Sequence, residues 1–401
     1  MRRRDAIGTI GGAAAAAFGG FAAGPFAAAR AAEPAVPRFA YAGCYTRNAP
    51  GGSSGRGKAI GISMLSVDPK TGGLGLRGTV PSDNPAFLAM HPNGRVLYAL
   101  NEIADYQGKG VGSVEAYAID EETGDLRLIN RQALSGPIPA QLTADPSGRL
   151  LILALYVGAA YDVVAIQPDG SLGAVVQTIP QTGSGPHERQ KAPHPHAVQF
   201  DPAGRFLATA DLGTDTLQTF GVEGDGLKKV SEVELPAGTG PRHVAFHPDG
   251  RWLFTICELS ASIRSLPYDS ATGKLGAEVA SVSTVPADFV GERSTAEILV
   301  HPSGKFLYGS NRRFADNPVA DSIVAFGIDE AKGTLDLIGY TTEGMGFPRT
   351  FTMDPAGRWL YAVNQKGDTI VQFAIDPAKG ALAPTGHVLE LPTPCGLLFK
   401  A

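Results

Sequence analysis

The chain has 401 residues, of which 51 are glycine and 30 proline, about one residue in five. Those two residues make about 12% of an average protein, so turns dominate this chain. Its 34 basic and 39 acidic side chains leave a net charge of −5, which excludes the basic footprint of a nucleic-acid binder. Three cysteines, Cys44, Cys257 and Cys395, are too few for a disulfide scaffold and match no zinc spacing.

Residues 1–31 read as an export signal. Arg2, Arg3 and Arg4 precede a weakly apolar run of Ala, Gly and Phe, and Ala29-Arg30-Ala31 offers a small-x-small cleavage site. Arg3-Arg4-Asp5-Ala6-Ile7 resembles a twin-arginine signal, the address of proteins exported already folded. A membrane anchor is the alternative for this segment. Gly8, Gly11 and Gly12 within it fail the dinucleotide fingerprint in spacing and context. Removing the segment leaves 30 basic and 38 acidic side chains, a net charge of about −8. Residues 32–37 read as a linker, and no later stretch reaches the roughly 18 consecutive apolar residues of a spanning helix. The mature chain is expected to be periplasmic or exported, with no membrane segment.

Residues 38–401 are one repeating unit. A turn of the form [His/Asp]-Pro-x-Gly-[Arg/Lys] recurs six times, with its proline at Pro92, Pro146, Pro202, Pro248, Pro302 and Pro355. A second turn, polar with Gly and then Leu, ends at Leu74, Leu126, Leu172, Leu227, Leu275, Leu335 and Leu382. Short strands between such turns at a period of about 50 residues are the signature of an all-β fold, the β-propeller, and seven copies predict seven blades. Residues 195–227 show the unit. His196-Ala-Val-Gln-Phe alternates as a first strand, and Asp201-Pro-Ala-Gly-Arg turns the chain, Pro presetting φ and Gly accepting a positive one. Phe206-Leu-Ala-Thr-Ala returns, Thr216-Leu-Gln-Thr-Phe is a third strand, and Gly224-Asp-Gly-Leu227 leads into the outermost. The turn residues His91, Asp145, Asp201, His247, His301 and Asp354 share one repeat position, so the histidines read as turn caps rather than as chemistry.

The chain ends on a first strand, Thr393-Pro-Cys-Gly-Leu-Leu-Phe-Lys, and the mature start, Arg38-Phe-Ala-Tyr-Ala-Gly-Cys-Tyr45, aligns with the second strand at Arg95–Glu102. Both ends thus complete one blade, which closes the ring and removes its open edges. Cys395 and Cys44 fall beside each other in this alignment, and a disulfide between them is left open.

In such a ring the start of each first strand and the end of each second strand lie on one face of the disc. Across the blades, the residue after the first-strand proline is Ala86, Ala140, His196, Arg242, Arg349 and Cys395, with Glu297 after Ala296 in the remaining one. The position ten residues past the turn proline holds Glu102, Tyr156, Leu212, Glu258, Arg312 and Gln365. His196, Arg242, Arg349, Glu258, Arg312 and Glu102 are therefore expected at one mouth of the central channel. Buried charges there must pair or bind something. One reading is a structural ring of ion pairs. The other is a catalytic anion site, in which His and Glu supply acid–base chemistry and arginines face a developing oxyanion. A long connection, residues 180–194, precedes His196, and connections of that length carry function more often than chance. Its His187, Glu188, Arg189 and Gln190 are expected over the mouth. His194 and His196 at i and i+2 also suggest a metal pair, but without carboxylate partners no metal is expected. Gly51-Gly-Ser53-Ser-Gly55 matches the nucleophile-elbow pattern in a Gly/Ser loop with no helix after it, so it reads as a flexible loop.

The repeat resembles the seven-bladed lactonase family, which includes propeller-type 6-phosphogluconolactonases and carboxy-cis,cis-muconate cyclases. Carrying the resemblance are Tyr41-Ala-Gly-Cys-Tyr-Thr, Glu188-Arg-Gln, Ala192-Pro-His-Pro-His196, Ala210-Asp-Leu-Gly-Thr-Asp215, Gly240-Pro-Arg-His243, Cys257-Glu258-Leu and Ser310-Asn-Arg312. It implies a catalytic set of His196, Arg242, Glu258 and Arg312; Arg349, Arg189, Glu102 and His194, from the repeat positions and the long connection, are the further substrate-binding candidates. The sequence departs from the family's pattern after Glu258, where Leu-Ser-Ala-Ser replaces a more polar turn. The implied activity is hydrolysis of a sugar lactone by water, without a cofactor and without a covalent nucleophile. Carboxymuconate lactonisation and a non-catalytic periplasmic binding propeller are the alternatives, since a fold does not fix a function. The expected partner is a small anionic or sugar lactone, with no nucleic acid, and the expected state is a monomer.

Overall fold

The computed structural model describes residues 37–47, 57–291, 294–312 and 321–400. The export signal, the linker up to residue 36 and the loop 51–55 lie outside them. The described strands form seven antiparallel sheets arranged as the blades of a propeller. Blades 1 to 6 run in chain order over residues 85–133, 139–180, 195–234, 241–283, 295–341 and 348–390. The seventh is built from both ends: Phe39–Cys44 pairs on one side with Pro394–Lys400 and on the other with Gly61–Val67, and Leu74–Pro81 is outermost. Each sheet has four strands in order from the axis, except that the outer strand of blade 4 is split into Lys274–Leu275 and Ala280–Ser283. The inner strands of successive blades pack on one another around the whole ring, Pro394–Lys400 meeting Pro85–Met90 to close it. Among the described residues no helix is long and apolar enough to cross a membrane.

Burial follows from that layering. A second strand is covered on both faces, so it reads as an unbroken apolar run, as in Leu150–Leu155, whose six residues are all buried. Outer strands have one face in water and alternate, as in Leu172–Pro180. The core is consequently seven separate layers, one between each pair of neighbouring blades. Leu151, Leu153 and Leu155 of blade 2 pack with Tyr98 and Leu100 of blade 1, while Ile152 and Ala154 face Val198, Leu207 and Phe220 of blade 3.

Two recurring polar contacts tie the blades. The turn histidines cap their own turns and also reach across: Nε2 of His91, His247 and His301 lies 3.1, 2.9 and 2.8 Å from the carbonyls of Gly148, Gly304 and Gly357 in the next blade. A carbonyl only accepts, so Nε2 carries the proton; Nδ1 of His91 and His301 then accepts the amides of Asn93 and Ser303, whereas Nδ1 of His247 lies 2.7 Å from Asp249 Oδ1. Second-strand tyrosines do the same nearer the core. The hydroxyls of Tyr41, Tyr98, Tyr308 and Tyr361 donate to the carbonyls of Gly124, Gly170, Gly380 and Gly72, each in the following blade. Tyr308→Phe should therefore cost about 1–3 kcal/mol, because it orphans a buried carbonyl. Urea unfolding measures this, and site chemistry should be unaffected.

In the clasp blade the two cysteines are not bonded to each other. A β-bulge after Gly43 sets Cys44 opposite Pro394, so Cys395 has no residue across from it. Cys44 then packs between blades 6 and 7, beside Val363, Ile370 and Leu391. Cys395 joins the layer of Tyr45, Ala86 and Leu100, with Sγ on the Gly43 carbonyl at 3.3 Å. Both are free thiols, and no disulfide closes the ring. Backbone and side-chain bonds do so instead, Tyr45 N to Thr393 O at 3.0 Å and Thr393 Oγ1 to Tyr45 O at 2.8 Å.

Candidate active site

The same two local devices in each blade aim side chains at the channel mouth. The first is a bulge just after the first-strand proline. Pro195 lies opposite Asp211 and Ala197 opposite Ala210, so His196 is the extra residue; Arg242 and Arg349 are extra in the same way between Pro241 and His243 and between Pro348 and Thr350. Such a bulge re-aims its side chain out of the sheet's alternation. The residue before the proline holds a positive φ in several blades, 62° at Gly240 and at Phe347, where glycine fits easily and Phe347 does not. In blade 4 that turn is fixed by Asp215, whose carboxylate accepts from Gly238 N, Gly240 N and Thr239 Oγ1. The second device is a backbone bond from the end of the second strand. Glu258 N donates to Gly240 O at 2.8 Å and Arg312 N to Ser294 O at 2.9 Å, setting each side chain over the neighbouring bulge.

These devices bring Glu258, Arg242 and Arg312 together. Glu258 Oε2 lies 3.0 Å from Arg242 Nε and 3.0 Å from Arg312 Nη2. Its Oε1 accepts from Arg189 Nη1 at 2.7 Å and from Ser294 Oγ at 3.4 Å. Three guanidinium groups thus surround one carboxylate, leaving excess positive charge. Burial acts to raise the Glu258 pKa, but Arg312, Arg189 and Arg242 prevail and hold it down at about 2. Burial pushes Arg242 and Arg312 the other way, with Glu258 opposing, and guanidinium groups stay charged. His196 is buried beside them. Its ring meets those of His243 and Tyr156 edge-on, at centroid distances of 5.1 and 5.6 Å, and its Nδ1 has no hydrogen-bond partner among the described residues. Burial first, then Arg242 and His243, push its pKa well below the usual range, so it is neutral at pH 7.

Arg349 and Glu102 form a second cluster at the mouth. They pair at 3.0 Å, and Tyr45 donates its hydroxyl to Glu102 Oε2 at 2.5 Å. Residues 180–194 reach over the mouth as expected. Gln190 is buried as an anchor, its amide donating to Leu212 O and its carbonyl accepting from His187 N. A Cβ on Gly213 would collide with the Ala192 carbonyl, so only glycine lets this connection lie so close to blade 3. The short 3-10 turn Glu188–Gln190 then directs Arg189 at Glu258 and at the Tyr156 hydroxyl, 3.4 Å away. Arg189 is 37% exposed, against 2–3% for Arg242 and Arg312, so it is the outermost of the three. His194 is not drawn in with the others. It stacks on Tyr156 with centroids 4.3 Å apart and contacts Tyr156 O through Nδ1 at 2.9 Å. Among the described residues no group of three or more His, Cys, Asp or Glu side chains is placed to hold a metal.

A family model described as "Lactonase, 7-bladed beta-propeller" matches residues 39–399. The chain belongs to that family. It is 32% identical over 326 residues to a 6-phosphogluconolactonase of Bacillus subtilis, covering 81% of this chain and 87% of that protein. It is also 32% identical over 332 residues to a 6-phosphogluconolactonase of Formosa agariphila, covering 81% and 89%. The solved structure of a periplasmic gluconolactonase from Pseudomonas aeruginosa superposes with a TM-score of 0.79 at 27% identity, covering 90% of this chain and 99% of that one.

Within this lactonase propeller, four residues at the site were given no role by the sequence reading. Tyr45 and Tyr156 stand at the second-strand position in their blades, a signal already present in the alignment of Cys44-Tyr45 with Asn101-Glu102. His243 and Glu297 are paired at 2.8 Å, one step inward from Arg242. Blade 5 carries a longer irregularity, from Thr295 to Ile298, so Ala296 rather than Glu297 takes the position of His196 and Arg242. The charge cluster also gives a pH signature. A carboxyl brought from 4.5 down to about 2 on folding adds stability that is complete above about pH 4.5 and disappears as the pH falls towards 2. The stability gap between the parent and Glu258→Gln should therefore narrow below about pH 4, which urea midpoints at several pH values would show.

Proposed function

We propose that this protein is an exported lactonase that hydrolyses a sugar lactone at the channel mouth by direct attack of water. The observation that carries the reading is a neutral histidine, with its Nδ1 unpartnered, beside a carboxylate-bound group of arginines. Family membership and the names of the relatives support lactone chemistry. The structure favours His196 over Glu258 as the base. The Glu258 carboxylate is engaged by three arginines, whereas His196 has an unpartnered ring nitrogen free to take a proton. His196 takes a proton from water as its oxygen bonds to the lactone carbonyl carbon. The carbonyl oxygen becomes an oxyanion facing Arg242 and Arg312. The ring C–O bond then breaks, and the departing oxygen takes the proton back from His196, giving the hydroxy acid. Glu258 in this scheme keeps the arginines in place and ionised, and Arg189 and Arg349 bind polar groups of the sugar. Export through the twin-arginine-like segment at residues 1–31 would place it in the periplasm, as in the Pseudomonas aeruginosa relative.

The experiment is hydrolysis of glucono-1,5-lactone and its 6-phosphate, side by side, by the mature protein. Turnover above the spontaneous rate on either supports the proposal, and the preferred lactone tells whether the outer arginines read a phosphate. No turnover on either would move the weight to the carboxymuconate or the binding propeller.

A further inference from the structure

Glu297 and His243 have no part in the scheme above, yet both are buried against it. Glu297 Oε1 lies 2.8 Å from His243 Nδ1. A carboxylate only accepts, so Nδ1 carries the ring proton and Nε2 keeps its lone pair. That lone pair faces Arg242 Nη1 at 3.2 Å, and the same nitrogen donates to Ala296 O at 2.5 Å. The edges of His196 and Phe87, at centroid distances of 5.1 and 6.1 Å, close off the rest of the His243 ring. Burial and Arg242 push the His243 pKa down while Glu297 opposes, and the ring stays neutral with one proton to place. The opposite tautomer would set an N–H against an N–H of Arg242 and leave Nδ1 facing an acceptor. Arg242 Nη1 thus meets two acceptors, its Nε is ion-paired with Glu258 Oε2 at 3.0 Å without hydrogen-bond geometry, and Nη2 takes no hydrogen bond among the described residues.

We propose that Glu297 and His243 are positioning residues for Arg242. Glu297 fixes the tautomer of His243, the Nε2 lone pair fixes the guanidinium, and Nη2 is the donor left for the oxyanion. This rests on the lactonase reading for what Arg242 does, but not for how Arg242 is held. Glu297 itself borders a cavity of about 240 Å³ in the channel beyond the mouth, walled by Phe87, Leu142, Val198 and Phe351.

The test uses Glu297→Leu and Glu297→Gln in the full chain. Nitrogen NMR of labelled histidine reports the His243 tautomer whether or not the protein turns over a lactone. Nδ1–H in the parent supports the proposal, and Nε2–H overturns it, even where the leucine variant fails to fold. In lactone hydrolysis, Glu297→Leu should lower kcat about 10–100-fold with KM nearly unchanged, the size seen when a buried partner of a functional imidazole is removed. Glu297→Gln, which keeps an acceptor oxygen, should restore most of the loss. A folded leucine variant with the parent's kcat, or a loss confined to KM, would overturn the proposal. A parent with the Nδ1–H tautomer and no lactone turnover would sink the lactonase reading alone and leave the pair standing as the holder of Arg242.

Discussion

Glu258→Gln is expected to cost about 3–5 kcal/mol of folding stability together with nearly all turnover, because one carboxylate serves three arginines. Arg242 and Arg312 are 2–3% exposed, and Glu258 is the carboxylate that both of them pair with, at 3.0 Å each. Removing one member of a buried ionic group leaves the others uncompensated, the most damaging class of polar substitution. Loss of oxyanion donors through misoriented guanidinium groups should also lower kcat/KM by at least about 100-fold. Urea unfolding and a lactone assay on one preparation measure both effects. A variant with the parent's stability and no activity would instead make Glu258 a simple base, contrary to its place among the arginines.

His196→Ala should separate activity from stability. The ring makes edge contacts with Tyr156 and His243, and its Nδ1 bonds to nothing among the described residues. Its removal should cost no more than the ~0.5–3 kcal/mol of an ordinary substitution. Losing a general base should cost about 10²–10⁴-fold in kcat. Because burial, Arg242 and His243 all push this imidazole well below its usual range, the parent's kcat/KM should hold level as the pH falls through 6.5 and decline only at lower pH. A decline centred at or above 6.5 would point to a different base.

The fold was legible because its physics repeats. Six blades carry a proline-glycine turn at one radius and all seven a Gly-Leu turn at another, and those copies printed the period into the chain. His196, Arg242, Glu258 and Arg312 were legible for the same reason, since equivalent positions in equivalent blades point to one mouth. What escaped lies where the repeat is broken locally. The bulge that offsets Cys44 from Cys395 changes a pairing by one residue, which alignment of strands does not reveal. The irregularity from Thr295 to Ile298 hid Glu297 one register from its partner's neighbour, and His243 looked like an ordinary inward strand residue. Arg189 sits in a connection with no counterpart in other blades. Its length signalled function, but only the Gln190 anchor and the close approach at Gly213 determine that it reaches Glu258.

The most direct measurement is acid release from glucono-1,5-lactone at neutral pH, followed at constant pH for the mature parent and for His196→Ala of matched unfolding midpoint. Release well above the spontaneous rate in the parent, falling close to that rate in the variant, is the predicted result. Equal rates in the two proteins, whether fast or spontaneous, would contradict a hydrolytic site at the channel mouth.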